Sequence, residues 1–251
     1  MIEEPYRWVE AIATRRDYIE TQLSSGSPIV ALTYADGILM FTVGQQKLFE
    51  IYDRIALGAI GHPGDIERLR MAAIELASTE GFARSAADVS LRRLAYYSLS
   101  PVMKNAFEQI YGAPFLARLL FAEIGATPAE DLFLRVEYDG AISQKKSGNK
   151  RFAVLAPTKK SAEQMEQFIE REDRGDENLE RALELAFDAW TAGQKLLEEG
   201  AALLSREEIR AQRQERLGDG IVEAAVLDRR ARSAVQYRAL DDQQLASLSP
   251  R

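Results

Sequence analysis

The chain has 251 residues, of which 46% are hydrophobic and 28% are charged, a composition typical of a soluble globular protein. Its net charge of −7 and pI of about 5.1 disfavour nucleic acid as a partner. The absence of cysteine excludes disulfides and thiol catalysis, and the single His62 argues against a histidine zinc site or a serine–histidine triad. No apolar run approaches the roughly 20 residues that cross a bilayer, so no membrane partner is expected.

Residues 5–23 are predicted to form the first helix, because apolar residues recur there at a broadly helical spacing. The sequence at 24–26 ends it. Two interpretations of its apolar face stay open. The face packs on its own domain, or it packs on a neighbouring subunit.

Four apolar segments between residues 29 and 60 are predicted to be β-strands, since they are short and bounded by turn residues. The first two are joined at Asp36–Gly37, a pair that tolerates positive φ and is common in hairpins. Lys47 is a lone cation between the second and third apolar segments. Runs this uniformly apolar indicate strands that are covered on both faces.

The remainder alternates between helix pairs and strand segments. A first helix pair is predicted at 63–81 and 85–112, with a kink or break at Pro101, and a second pair at 159–171 and 179–197. Further strands are predicted at 115–125, 132–136, 152–156, 221–227 and 234–240. This order predicts an α+β protein with a single domain over 1–251, built as a four-layer αββα sandwich.

Two charged segments stand apart from this pattern. Residues 144–150 are predicted to be the polar tip of a hairpin. Residues 198–218 are helix-prone but carry few apolar positions, so they are predicted to be an exposed charged insertion or linker.

The order of these features resembles the proteasome family, and the resemblance covers nearly the whole chain. It is closest to the α-type subunits of bacterial, actinobacterial-style proteasomes. The matching segments are Gly26–Ser27 before the first strand, LFEIYDR at 48–54, AIG at 59–61, DIERLR at 65–70, RVEYDGAI at 135–142 and VEAAVLD at 222–228.

The resemblance implies the fold of N-terminal-nucleophile hydrolases and proteasome subunits, with an extra N-terminal helix. It implies a non-catalytic, cytoplasmic α-type subunit, without cofactor or metal. Such a subunit forms a homo-oligomeric, heptameric ring that stacks on proteolytic β-type subunits. The ring admits unfolded protein substrate and docks an activator, usually an ATPase ring.

The resemblance also implies two sites. Residues 1–25 would comprise a gate segment and the N-terminal helix, with the gate formed by Met1, Ile2, Glu3, Glu4, Pro5 and Tyr6. The activator's C-terminal carboxylate would bind Lys47 in a pocket whose glycine positions match Gly26 and Gly61. A cation and close-approaching glycines suit such a tail. The chain departs from the family pattern in a shorter segment at 42–47 and in His62 beside Pro63.

Two alternatives remain. In the catalytic branch of the family, the nucleophile position aligns with Ser27, the lysine with Lys47, and the acidic position falls near Val43, which has no carboxylate. A self-processed hydrolase would need all residues before Ser27 to be removed, and Pro28 stiffens the backbone next to it. The second alternative is a free-standing ring of the same fold without a protease partner.

Overall fold

The computed structural model describes residues 4–109, 111–144, 152–175, 177–194 and 204–245, with side chains from residue 7 onward. The strands are β1 (Ile29–Tyr34), β2 (Gly37–Val43), β3 (Leu48–Tyr52), β4 (Ile55–Gly61), β5 (Ala117–Glu123), β6 (Leu132–Val136), β7 (Ile142–Ser143), β8 (Phe152–Leu155), β9 (Val222–Asp228) and β10 (Tyr237–Ala239). The helices are α1 (Glu4–Leu23), α2 (Pro63–Ala83), α3 (Leu91–Arg93), α4 (Ser100–Glu108), α5 (Lys159–Glu172), α6 (Leu179–Gln194), α7 (Arg206–Leu217) and α8 (Asp242–Leu245).

The strands form two antiparallel sheets that lie face to face. The first has the order β10-β9-β2-β1-β8, and the second has the order β3-β4-β5-β6-β7. Helices α5, α6 and α7 pack on the outer side of the first sheet. Helices α2, α3 and α4 pack on the outer side of the second sheet. The predicted four-layer αββα sandwich is therefore confirmed.

Strand β1 shows how the sequence specifies these layers. Ile29 and Ala31 join the apolar cluster between the two sheets. Val30 and Leu32 join the cluster that α5 and α6 cover. Successive side chains of a strand point to opposite faces, so a strand with both faces covered must be apolar throughout.

Helix α1 lies ahead of the first strand and packs on its own chain. Ile19 and Leu23 are fully buried against Phe107 of α4 and Tyr138. Its first turns are different, since Trp8 and Val9 are exposed. The C-terminal half of α1 therefore packs on its own domain. Packing on a neighbouring subunit stays open for its first turns.

The helix that contains Pro101 changes its geometry at the predicted position. A π-helical segment (Leu94–Leu99) separates α3 from α4, and Pro101 is the second residue of α4. Proline has no N–H to donate to the preceding turn. The wider turn before it accommodates that loss, so the predicted break is confirmed as a π-helical insertion.

The glycine of the β1–β2 hairpin has a different role from the one predicted. Tyr34 pairs directly with Gly37, so Ala35 and Asp36 form the turn, and neither has positive φ. Gly37 does not have positive φ either. A Cβ at Gly37 would overlap the carbonyl oxygen of Leu227 in β9, so the close approach of a third strand requires the glycine.

The charged segment near the C-terminus is a docked helix rather than a linker. Helix α7 begins with a capping box in which Ser205 and Glu208 bond reciprocally. Ile209 is buried, and three arginines of α7, Arg206, Arg210 and Arg213, lie within ion-pair distance of the fully buried Asp188 of α6. Residues 206–217 are therefore a packed helix and not a free linker, held by the buried Ile209, the partly buried Leu217 and ion pairs, although most of their side chains remain partly or fully exposed. Residues 195–203 and residues 145–150 of the hairpin tip predicted at 144–150 lie outside the described residues.

Candidate functional site

Lys47, Gly26 and Gly61 come together around the end of β4. The carbonyl oxygen of Lys47 accepts a hydrogen bond from the N–H of Ala59, with N···O 3.0 Å. Gly26 contacts Ile60, and Gly61 is the last residue of the strand. The structure thus brings the three predicted residues to one end of the second sheet.

Lys47 ends a tight loop between β2 and β3. The backbone of this loop is in the left-handed region at Gly44 (φ 142°) and Gln46 (φ 55°). The stem of Lys47 lies directly on Gly44, where a Cβ would be 2.6 Å from Cε. Gly44 is therefore needed both for the turn and for the path of the lysine side chain.

The Lys47 ammonium is half-buried and weakly compensated. Burial lowers the pKa of Lys47, and the charge of Glu223 opposes that shift. Within the part of the chain that the structure describes, no carboxylate oxygen lies within 4.0 Å of the Lys47 ammonium. A partly buried cation without an ion-pair partner favours an incoming carboxylate.

Glu223 is a residue of this candidate site that the sequence did not point to. Its carboxylate accepts hydrogen bonds from the backbone N–H of Lys47, at 3.0 Å from Oε2, and of Leu48, at 3.0 Å from Oε1. Burial raises the pKa of Glu223, while these two bonds and the Lys47 charge oppose the shift. The available signal was an acid near the start of a strand whose central residues are all apolar.

Both glycines of the predicted pocket are explained by packing within the chain. A Cβ at Gly26 would overlap the side chain of Ile60, and a Cβ at Gly61 would overlap the carbonyl oxygen of Leu116. Gly61 also has φ 139°, which favours glycine. Of these three residues, Lys47 is therefore the one whose side chain could bind a ligand.

Two other residues of this region have structural partners. The hydroxyl of Ser27 accepts a hydrogen bond from Nε1 of Trp190, at 2.9 Å. His62 is the N-cap of α2, where its Nδ1 accepts a hydrogen bond from the N–H of Gly64. Val43, at the aligned acidic position, is buried in the core.

The predicted gate residues lie at the limit of the described chain. Met1, Ile2 and Glu3 are outside the described residues. Glu4, Pro5 and Tyr6 form the first turn of α1, and their side chains are not among those described. The structure therefore locates the helix to which a gate segment would be attached.

The layer over the second sheet exposes several large apolar side chains. We call this surface the α2–α4 face, and it includes Leu76, Phe82, Tyr96, Tyr97 and Val102. Phe82 and Tyr97 are 94% and 82% exposed. A groove of about 260 Å³ runs between α2 and the π-helical segment, with Leu76 and Tyr97 in its lining. Leu76 and Tyr97 lie together in this groove, and exposed apolar residues that share a groove favour a protein-interaction surface.

Neither a metal cluster nor a membrane-spanning helix is found in the described part of the chain. Its residues include no group of three or more acidic or histidine side chains placed to hold a metal ion. None of its helices has both the length and the hydropathy that a membrane span requires.

Comparisons with known proteins identify the family. No family model matches the chain. It is 31% identical over 195 residues to a proteasome subunit alpha of Parafrankia sp. (strain EAN1pec), covering 73% of this chain and 74% of the relative. It is 31% identical over 251 residues to a proteasome subunit alpha of Streptomyces griseus, covering 95% of this chain and 81% of the relative.

The chain belongs to the proteasome α-subunit family. A third relative in this family, a proteasome subunit alpha of Kineococcus radiotolerans, is 29% identical over 245 residues and aligns with 93% of the chain. The predicted resemblance to actinobacterial proteasome α subunits is thereby confirmed. The two antiparallel sheets with helical outer layers and an N-terminal helix are consistent with this family.

Proposed function

We propose that the chain is a non-catalytic α-type subunit of a cytoplasmic proteasome core particle. It would form a heptameric outer ring, stack on proteolytic β-type subunits and gate the entry of unfolded protein. The observation that carries this proposal is that α1 is packed in front of β1 through Ile19 and Leu23. An N-terminal nucleophile at Ser27 would require removal of that helix.

The contacts of Ser27 also favour a structural role. Its hydroxyl accepts the Trp190 indole N–H, which anchors the start of β1 to α6. A catalytic serine in this fold uses its own free α-amino group as the base. Such a base would arise only by cleavage between Gly26 and Ser27, which would separate the packed helix α1 from β1.

We assign activator docking to Lys47. The half-buried ammonium lacks an ion-pair partner in the described chain, and the N–H groups beside it are fixed by Glu223. A C-terminal carboxylate would restore a compensating charge, with a charge-assisted hydrogen bond of about 1.5–3 kcal/mol. One such contact is weak, and several tails on one ring would gain from their high effective concentration.

We assign stacking on the β-type ring to the α2–α4 face. The exposed Phe82 and Tyr97 and the adjoining groove supply an apolar surface on one side of the sandwich. Tyrosine and phenylalanine are enriched in the cores of protein interfaces. A polar change at Tyr97 is therefore expected to weaken assembly without unfolding the subunit.

Peptidase activity of the co-expressed α–β particle tests the proposal. We expect the β subunit's N-terminal nucleophile to be essential and Ser27→Ala in this chain to leave the cleavage rate unchanged. Tyr97→Asp is expected to reduce recovery of the mixed particle, while Val235→Asp, at an exposed apolar residue just before β10 and outside the α2–α4 face, serves as the control. Loss of all activity in Ser27→Ala particles that remain assembled would support the hydrolase alternative instead.

A further inference from the structure

A polar cavity of about 310 Å³ lies at the edge of the sandwich where β8 ends the first sheet and β7 ends the second. Helices α1 and α5 close its sides. A cavity of this size holds a small molecule, and the proposed function makes no use of it. The cations of its lining are Arg16, Arg118, Arg135 and Lys159, and the acids are Glu20, Glu137 and Asp139.

The three carboxylates of the cavity are already bound within the chain. Both oxygens of Glu20 lie 2.6 Å from Nη2 of Arg118. Glu137 accepts a hydrogen bond from Nε of the same arginine at 2.7 Å. Asp139 pairs with Arg16 at 3.3 Å. A cationic ligand would have to compete with these arginines for the carboxylates, so the cavity is poorly suited to it.

The edge of β8 offers donors rather than acceptors to the cavity. The carbonyl oxygen of Val154 accepts a hydrogen bond from Nη1 of Arg135, and that of Ala156, just after β8, accepts one from Nη1 of Arg118, each at 3.3 Å. These carbonyls point away from β1, and the N–H of a strand residue points to the same side as its own C=O. Neither the Val154 nor the Ala156 N–H has a hydrogen-bond partner on that side within the described chain.

This arrangement favours an anion over an added peptide strand. A peptide that extends a sheet needs both the N–H and the C=O groups of the edge. Here the outward carbonyls of Val154 and Ala156 are occupied by arginines of the second sheet, so the N–H groups are what a ligand can bind.

Two cationic side chains add further unused donors. Lys159, the exposed first residue of α5, has no ion pair with a carboxylate of the described chain. Arg135 binds Ser143, Val154 and Glu166 through Nε and Nη1, and no bond from its Nη2 is found among the described residues. With Glu166 counted, cations and acids balance. The preference for an anion therefore comes from unused donors rather than from net charge.

We propose that this cavity binds a small oxyanion that carries phosphate or carboxylate groups. Its oxygens would accept hydrogen bonds from the N–H groups of Val154 and Ala156 and from Nη2 of Arg135, and Lys159 would supply the opposite charge at the mouth of the cavity. The inference does not depend on the proposed function, because every residue of the lining belongs to one subunit.

Isothermal titration calorimetry of the full-length chain with pyrophosphate and, separately, with citrate tests the proposal at constant ionic strength. We expect saturable one-to-one binding of at least one of the two anions. Lys159→Gln is expected to lower the affinity roughly threefold to fivefold, since an exposed charge contributes modestly. Lys160→Gln is the matched control, because Lys160 is the next residue of α5 and is also exposed but does not line the cavity.

Ala141→Glu tests the same cavity without removing a cation. Ala141 is exposed and contributes to the lining, so the substitution adds a carboxylate without changing the core. Like-charge repulsion is expected to lower the affinity at least about fivefold. Ala211→Glu, at an exposed alanine of α7 outside the cavity, adds the same charge elsewhere and should leave the affinity unchanged.

Binding of pyrophosphate alone would support a phosphate ligand, and binding of citrate alone would support a carboxylate ligand. The absence of saturable binding of both anions would overturn the inference. So would wild-type affinity in both Lys159→Gln and Ala141→Glu, or an equal loss in Lys160→Gln, which would indicate diffuse attraction to the surface. These results leave the proposed function untouched, because that function depends on α1, Lys47 and the α2–α4 face.

Discussion

The carboxylate of Glu223 holds the backbone of Lys47 in place while leaving its ammonium without an ion-pair partner in the described chain. The acid binds the peptide N–H rather than neutralising the side chain. Each of these features has a stability cost, because both a cation and a carboxylate are partly buried. Partly buried charges of this kind are expected in a site that is stabilised by a bound ligand rather than by contacts within its own chain.

Lys47→Ala tests the docking assignment. We expect activator-dependent degradation of a folded protein to fall by at least about tenfold, because each lost carboxylate contact weakens every tail of a multivalent partner. Cleavage of small peptides by the β partner should persist, since the variant changes neither residues 1–6 nor the β subunit. Lys160→Ala, at an exposed lysine of α5, is the control. Undiminished degradation by Lys47→Ala particles would remove Lys47 from the docking site.

Lys47→Met tests the electrostatic cost of the site. Because burial holds the folded-state pKa of Lys47 below its unfolded value of about 10.4, the protonated lysine destabilises the fold at every pH below that value. At pH 7 the neutral methionine avoids this cost while keeping an apolar stem on Gly44. We therefore expect the Tm at pH 7 to stay the same or rise. A Tm several degrees below that of the wild type would show that Lys47 has a stabilising partner.

Asp188→Asn tests how α7 is held. Asp188 is fully buried and pairs with Arg206 at 2.8 Å and with Arg213. Burial raises its pKa, and the arginine charges oppose the shift. Removing one partner of a buried ion pair leaves uncompensated charge, so we expect a loss of about 3–5 kcal/mol in the free energy of unfolding.

Glu67→Gln is the control for that measurement, because Glu67 and Arg70 form an ion pair on the surface of α2 at 2.7 Å. Surface pairs contribute little, so its unfolding midpoint in urea should be close to that of the wild type. Equal midpoints for Asp188→Asn and the wild type would mean that α7 is not held by this cluster.

The ion pair between Glu20 of α1 and Arg118 of β5, at 2.6 Å, predicts that the stability of the fold depends on pH. Burial alone would raise the pKa of Glu20, but the hydrogen bonds from Tyr138 and Arg118 and the charge of Arg118 outweigh it and hold the pKa below the usual value. An acid with a depressed folded-state pKa stabilises the fold above its unfolded pKa, near 4.3, and loses that contribution as the pH falls through the folded-state value.

Wild type and Glu20→Gln are therefore expected to differ in stability at pH 7 and to converge below about pH 4. Denaturant unfolding of both proteins across this range measures the difference. A gap that stays constant down to pH 3 would mean that the Glu20 charge is not what binds α1.

The layers of the fold could be predicted because they depend on local pattern. The uniformly apolar β1 and β2 indicated strands covered on both faces, and Pro101 marked the change of helix geometry. The docking of α7 could not be predicted in this way. Only Ile209 of α7 is fully buried and Leu217 is partly buried, so the helix shows little apolar periodicity. Its ion-pair partner Asp188 lies on the preceding helix, and no sequence pattern links the two.

The candidate site was predicted in part. The place of Lys47 in the candidate site was predicted from the family resemblance. The contacts of Glu223 and Arg118 were not predicted, because their partners are far away in sequence. Glu223 lies 176 residues from Lys47, and Arg118 lies 98 residues from Glu20. Both residues are charged positions inside apolar strands, and only the folded chain shows which residues they bind.

Native mass spectrometry of the chain co-expressed with a β-type subunit tests the central claim most directly, with the intact subunit mass read from the same sample. The account predicts a mixed particle in which seven unprocessed 28.1 kDa chains form each outer ring. A subunit mass that begins at Ser27 would contradict it and identify the chain as a processed hydrolase. A ring of this chain that excludes β would equally contradict it and support the free-standing alternative.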